Sequence, residues 1–155
     1  MTGLPLLIAG IIQDKEYFKK QVEPYLDDRE IRYIGPVDVA GKNQLFSRAR
    51  ALLHLNTIPE RFGLVLAEAN AAGVPVIAMD LGSCREVIEE GKTGFLVNGV
   101  NEAVEALKRV QTIERSACRQ RVRNCFSIDT MVEAYEQIYC TIFDREAKGG
   151  HERNR

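Results

Sequence analysis

Five short apolar runs separated by amphipathic segments constrain this chain more than any other feature. They are Leu4 to Ala9, Ile31 to Ile34, Leu52 to Leu55, Val74 to Met79 and Phe95 to Val97. Runs of this length suit strands, and the segments between them can hold crossover helices. The pattern therefore predicts βα units and a parallel sheet covered on both faces. At 155 residues the chain can bury a single core without disulfides or a metal.

The intervening segments carry helix signals. The first predicted helix runs from Asp14 to about Leu26, with Tyr17, Phe18, Val22, Tyr25 and Leu26 on one stripe and Pro24 bending or ending it. A second, about Lys42 to Ala51, turns Leu45, Phe46 and Ala49 inward. A third, about Gly63 to Ala72, stops at Gly73 and is barred from continuing by Pro75. A short helix is expected over Arg85 to Glu90, further helices over about Asn101 to Val110 and Glu114 to Phe126, and Ser127 is the expected N-cap of a last helix. That helix carries Met131, Val132, Tyr135, Ile138, Tyr139, Ile142 and Phe143 at helical spacing, a stripe that needs a surface to pack on. Residues 1–146 read as one domain without repeat or linker, and residues 147–155 as a mobile tail.

Charge and cysteine usage exclude several function classes. The net charge is −1 and the sequence pI about 6.2, so no overall field recruits nucleic acid. No basic leader or membrane-length apolar run is present, which makes the cytoplasm the expected compartment. Cys84, Cys118, Cys125 and Cys140 form no CxxC pair, and His54 and His151 are the two histidines, so neither a metal nor a cofactor is expected. His54, inside an apolar run, reads as a satisfied core histidine, and Cys84 as an ordinary thiol in a loop. The basic stretch Lys108, Arg109, Arg115, Arg119, Arg121 and Arg123 reads as a solvated face, with peripheral contact to anionic lipid as the sharper alternative.

The chemistry concentrates in PERFGLVLAEANAAGVPVIA, residues 59–78. A strand end, a glycine and a helix start follow one another there, and the first amides of a helix have no intrahelical partner and attract phosphate. Glu60 precedes that helix and Glu68 lies in its second turn. Helical side chains lean toward the N-terminus, so both carboxylates can border one pocket. Two carboxylates would repel a diphosphate but are good acceptors for sugar or ribose hydroxyls. Phosphate plus diol points to a nucleotide or nucleotide sugar.

Glu60, Phe62, Gly63, Glu68, Ala69, Gly73, Pro75, Val76 and Ile77 resemble the donor-site signature of the family-four retaining glycosyltransferases, in which seven residues separate two glutamates. The resemblance continues through GSCREVIEEGKTGFLV at 82–97 and FSIDTMVEAYEQIY at 126–139, and so covers nearly the whole chain. It implies the C-terminal, donor-binding domain of a GT-B-fold enzyme, with a nucleotide-diphosphate sugar as donor substrate. By the same resemblance Glu60 would contact the transferred sugar and Glu68 the ribose hydroxyls. The amides of Phe62, Gly63, Leu64 and Val65 would meet the diphosphate or sugar, and Pro36 and Val37, with Lys42, would line the base pocket. The sequence departs from the family pattern at Ser83 and Arg85, where a glycine and a proline are usual.

The family's domain opens with one more strand and a loop carrying an arginine and a lysine, so the resemblance implies a domain lacking its first βα unit. The N-terminal acceptor domain would then have to come from elsewhere, as a missing domain or a partner chain, and the chain alone would be inactive. The exposed stripe of the last helix would favour self-association. Removing the first strand from a doubly wound order predicts a five-stranded sheet of order 2-1-3-4-5. Leu6 to Ala9 would then bond directly to Leu52 to Leu55, with Gly10 near Gly63.

Three rivals stand beside this reading. One is a non-catalytic nucleotide-sugar-binding module, or a subunit of a split enzyme. Another is a nucleotide-sugar epimerase on the same fold. The last, a phosphoacceptor domain, needs acids at the end of the first strand, where this chain has Ala9 and Gly10.

Overall fold

The computed structural model describes residues 3–149 and the side-chain surroundings of residues 3–145. Parallel strands and helices alternate as far as α5, and two more helices follow: β1 (Leu6–Ile8), α1 (Lys15–Gln21), β2 (Ile31–Tyr33), α2 (Val39–Arg48), β3 (Leu52–His54), α3 (Leu64–Ala71), β4 (Val76–Met79), α4 (Cys84–Val87), β5 (Gly94–Val97), α5 (Val100–Arg109), α6 (Arg115–Cys125) and α7 (Ile128–Gly149). Every expected strand and helix is present. Pro24 acts as foreseen: α1 ends at Gln21 and a separate 3-10 turn, Glu23–Tyr25, takes the proline at its start. Ser127 caps α7 by accepting from the Thr130 amide at 3.1 Å. Of the expected tail, the first three residues continue α7 and the remainder lies outside the described residues.

β4 is the centre of the core. Val74, Val76, Ile77 and Ala78 are fully buried. Alternate side chains feed two clusters, because successive residues of a strand point to opposite faces. Val76 and Ala78 pack with Leu66 and Ala69 of α3, Cys84 and Val87 of α4, and Phe46 of α2. Ile77 packs on the other face with Phe95 and Val97 of β5, Ala103 and Ala106 of α5, Ile113 and Cys118. Asn70 of α3 is also fully buried. Its amide nitrogen donates to the carbonyls of Val74 at 3.0 Å and Thr93 at 3.2 Å, tying α3 to the entries of β4 and β5.

One topological expectation fails. The five strands form two sheets, β1-β2 and β3-β4-β5, both parallel within themselves, and β1 does not pair with β3. The order 2-1-3-4-5 therefore breaks between its second and third strands, and Leu6 to Ala9 makes no ladder with Leu52 to Leu55. The expectation rested on the cost of burying unpaired backbone groups, about 1 to 3 kcal/mol each. That cost does not arise here, because the strands flanking the break are open to water: Leu6, Leu7 and Leu53 are each more than a third exposed. Before Phe46 no described residue is buried. The β1-β2 pair is held by local contacts instead, with the Tyr33 hydroxyl donating to the Gly10 carbonyl at 2.6 Å and Phe18 stacked edge-on against Tyr33.

The stripe of α7 is equally uncovered, with Met131, Val132, Tyr135, Ile138, Tyr139, Ile142 and Phe143 all exposed. The basic stretch is bound largely within the molecule. Arg109 lies over the Phe95 ring, Arg115 donates to the Ala49 carbonyl at 2.6 Å, and Arg121 donates to the Glu86 carbonyl at 2.6 Å. Among the described residues no helix is long and apolar enough to cross a membrane.

Asn70→Ala removes two hydrogen bonds from a site without water access and leaves the Val74 carbonyl short of a partner. Urea unfolding of this variant is expected to show a loss of about 1 to 3 kcal/mol.

Candidate functional site

The site assembles at the carboxyl ends of β3 and β4, where ligands of open α/β sheets bind. The loop after β3 carries Glu60, which sits against the start of α3. Gly63, the N-cap, has φ +76, and a Cβ there would stand 2.8 Å from Leu66 Cδ1 and 3.0 Å from Glu60 Cγ. Glycine thus allows the chain to turn sharply into the helix while the stem of Glu60 lies beside it. The Leu66 amide is taken by the Gly63 carbonyl at 2.8 Å, and Leu64 at the helix start is exposed. The amides of Leu64 and Val65 have no protein acceptor among the described contacts, as a helix N-terminus dictates. Phe62 is anchored edge-on to Phe126, 5.7 Å between centroids, so the C-terminal segment steadies the loop.

The backbone of Glu60 is clamped from the β4–α4 loop. Glu60 bridges to Gly82, and its carbonyl accepts from the Ser83 amide at 3.0 Å and the Ser83 hydroxyl at 3.2 Å. Gly82 has φ +60, and a Cβ there would collide with the Glu60 carbonyl oxygen and lie 2.7 Å from its nitrogen. One oxygen of the Glu60 carboxylate is hydrogen-bonded, and the other lies near an imidazole. Oε1 accepts from the Arg61 amide at 3.1 Å, and Oε2 stands 3.3 Å from Nε2 of His54.

Glu68 faces the other way along α3, toward α2, where Lys42 pairs with its Oε1. The structure thus gives one of the two carboxylates a cation, which lowers the repulsion that an anionic ligand would meet. Glu68 is 42% exposed, so much of its rim remains open to a ligand. Pro36 and Val37 are exposed in the loop from β2 into α2, about one turn ahead of Lys42 and just before the Asp38 N-cap. Lys42 links that loop to Glu68. The predicted residues therefore come together as two neighbouring groups, Glu60 with Phe62 to Val65, and Glu68 with the α2 entry.

Several participants escaped the sequence reading. His54 is a contact of Glu60 rather than a histidine satisfied only in the core. Its position at the carboxyl end of β3 was the available signal. Ser83, read as a departure from a family pattern, supplies two bonds to Glu60, and Arg85 pairs with Asp80. Cys84 opens α4 instead of lying in a loop, and burial pushes its thiol pKa up, with Glu60 and Asp80 adding to the effect. A raised pKa disfavours the thiolate, so Cys84 is a packing residue. Among the described residues no group of three or more His, Cys, Asp or Glu is gathered as a metal site would require.

Residues 2–124 match the family model described as glycosyl transferases group 1. The chain is 37% identical over 116 residues to a phosphatidyl-myo-inositol mannosyltransferase of Mycobacterium leprae, an alignment covering 75% of this chain and 30% of that protein. Among solved structures, sucrose-phosphate synthase from Thermosynechococcus elongatus superimposes with a TM-score of 0.74 at 25% identity, covering 90% of this chain and 39% of the other. Anabaena Alr3699/HepE in complex with UDP-glucose superimposes with a TM-score of 0.70 at 22% identity, over 88% and 41% of the two chains. The fold is therefore the Rossmann-like half of a GT-B architecture. The chain spans about a third of the length of the curated relatives it matches.

Gly82→Ala is expected to destabilise more than Gly91→Ala. Both positions have positive φ, but a Cβ at Gly91 meets nothing within 4 Å. The left-handed conformation costs each about 1 to 2 kcal/mol, and the collision with Glu60 adds about 1 to 3 kcal/mol at Gly82 alone. Paired denaturant melts measure the difference.

Proposed function

The chain belongs to the glycosyl transferases group 1 family, and on that premise we propose that it forms the donor side of a family-four, retaining sugar transfer. The donor is a nucleotide-diphosphate sugar. Glu60 contacts the sugar being transferred, the amides at the start of α3 meet the diphosphate, Glu68 receives the ribose hydroxyls, and the Pro36–Val37 loop borders the base. The observation that carries this reading is the placement of Glu60 beside the open N-terminus of α3, its backbone held by Gly82 and Ser83 and its stem lying against Gly63. In the transfer step charge develops on the departing phosphate, and oriented amides with the helix dipole stabilise it without reorganising. Departure and attack on one face of the sugar would give retention.

A second reading has its own support. The break between β1 and β3, and the absence of buried residues among those described before Phe46, suit a domain completed by further polypeptide, either an acceptor domain with a preceding βα unit or a partner chain. The chain is then a nucleotide-sugar-binding module or a subunit of a split enzyme, and by itself it binds donor without transferring sugar. Cytoplasmic placement, peripheral to a membrane where the acceptor is a lipid, accords with this proposal.

Saturation-transfer NMR with a panel of nucleotide sugars tests donor binding, and product analysis separates transfer from epimerisation. Glu68→Ala is expected to weaken nucleotide binding by the loss of one or two charge-assisted hydrogen bonds, about 1.5 to 3 kcal/mol. Its melting temperature should stay close to that of the parent, because a single partly exposed ion pair contributes little. A large fall in melting temperature with unchanged affinity would make Glu68 structural.

The uncovered stripe of α7 generates a separate expectation: the isolated chain self-associates through it. Sedimentation should show concentration-dependent association that Tyr135→Glu and Phe143→Glu abolish, and concentration-independent monomers would rule it out.

A further inference from the structure

We infer that Arg121 is a positioning residue for the segment from Glu60 to Val65, because one guanidinium joins the two elements that hold that segment in place. What the segment binds rests on the donor reading, whereas how it is held rests on contacts within the chain.

Arg121 lies in the second half of α6 and is half-buried. Its Nη2 donates to the Glu86 carbonyl at 2.6 Å, and its Nε lies 3.5 Å from the Val87 carbonyl. These carbonyls close α4, and the last carbonyls of a helix have no intrahelical donor and favour a cation. Nη1 donates to Cys125 Sγ at 3.2 Å. The same guanidinium stands over the Phe126 ring, 5.5 Å from its centroid. Phe126 is the junction between α6 and the Ser127 cap of α7, with φ −133, so no helix fixes it from both sides. Its ring meets Phe62 edge-on at 5.7 Å and packs against the cluster that contains Leu66 and Val87.

The two ties reach the segment at two points. Ser83, immediately before α4, holds the Glu60 carbonyl through its amide at 3.0 Å and its hydroxyl at 3.2 Å. Phe126 backs Phe62, the residue that precedes the Gly63 turn. Residues 61–63 belong to neither helix nor strand, so side-chain ties of this kind decide where they lie. By joining α4 to the Phe126 ring, Arg121 sets the spacing between the Glu60 clamp and the turn into α3. A site that presents a carboxylate and helix-start amides together depends on that spacing being kept.

Two measurements on the full chain test the inference. The first is hydrogen exchange without ligand, read at the Leu66 amide, bonded to the Gly63 carbonyl, and at the Ser83 amide, bonded to the Glu60 carbonyl. Arg121→Met should raise exchange at both about tenfold relative to the amides of β4, the mark of a local opening. Arg115→Met, which removes an equally short bond to the Ala49 carbonyl, should not. If Arg121 only fastened α6, the segment and β4 would loosen alike, and that uniform change, or none, would overturn the inference. Phe126→Leu keeps the arginine and an apolar side chain, and it should raise exchange at Leu66 in the same selective way. Unchanged Leu66 exchange in that variant would overturn the inference as well. The second measurement is titration with UDP-glucose, which Arg121→Met should bind about three- to tenfold more weakly than the parent and Arg115→Met equally well. If exchange responds as expected while the affinity stays the same, Arg121 still positions the segment and the placement of the donor there falls.

Discussion

The burial of β4 on both faces is the constraint from which the remaining architecture follows. Val76 and Ala78 on one side, and Ile77 on the other, cannot be exposed without losing the transfer free energy of several apolar side chains, about 1.5 to 3 kcal/mol for each large one. Helices must therefore cover both faces, and α3, α4, α5 and α6 do so. Because α3 has to lie flat on Val76 and Ala78, its N-terminus is brought to the carboxyl end of β3. The loop from β3 must turn sharply to enter it, and Gly63 makes that turn. The anion-attracting end of α3 and the position of Glu60 are thus results of core packing.

The site shows how a polar constellation is held by groups outside it. Glu60 is fixed by a glycine that admits its backbone and a serine that bonds its carbonyl, and an imidazole lies near its carboxylate. Glu68 is held by a lysine from a different helix. Each carboxylate thereby has a nitrogen beside it, so the pair does not present two bare charges next to the start of α3. The two halves of the molecule differ in kind. The half around β4 has two packed clusters, while β1, β2 and α1 rely on hydrogen bonds and one aromatic pair. Local opening should follow that division, since few buried contacts oppose it before Phe46.

Alternating apolar runs, Pro24, Gly73 with Pro75, and Ser127 determined the elements and most of their limits, because these signals act over a few residues and depend on backbone geometry alone. The glutamates, the glycine between them and the helix start were legible for the same reason: spacing along one turn and one helix defines them. What only the tertiary structure decided were relations between distant segments. The His54–Glu60 contact, the Ser83 clamp and the Lys42–Glu68 pair join residues that no local pattern couples. The break between β1 and β3 belongs with them. Strand pairing depends on what lies beside an edge and on whether water reaches it, and a sequence pattern records neither.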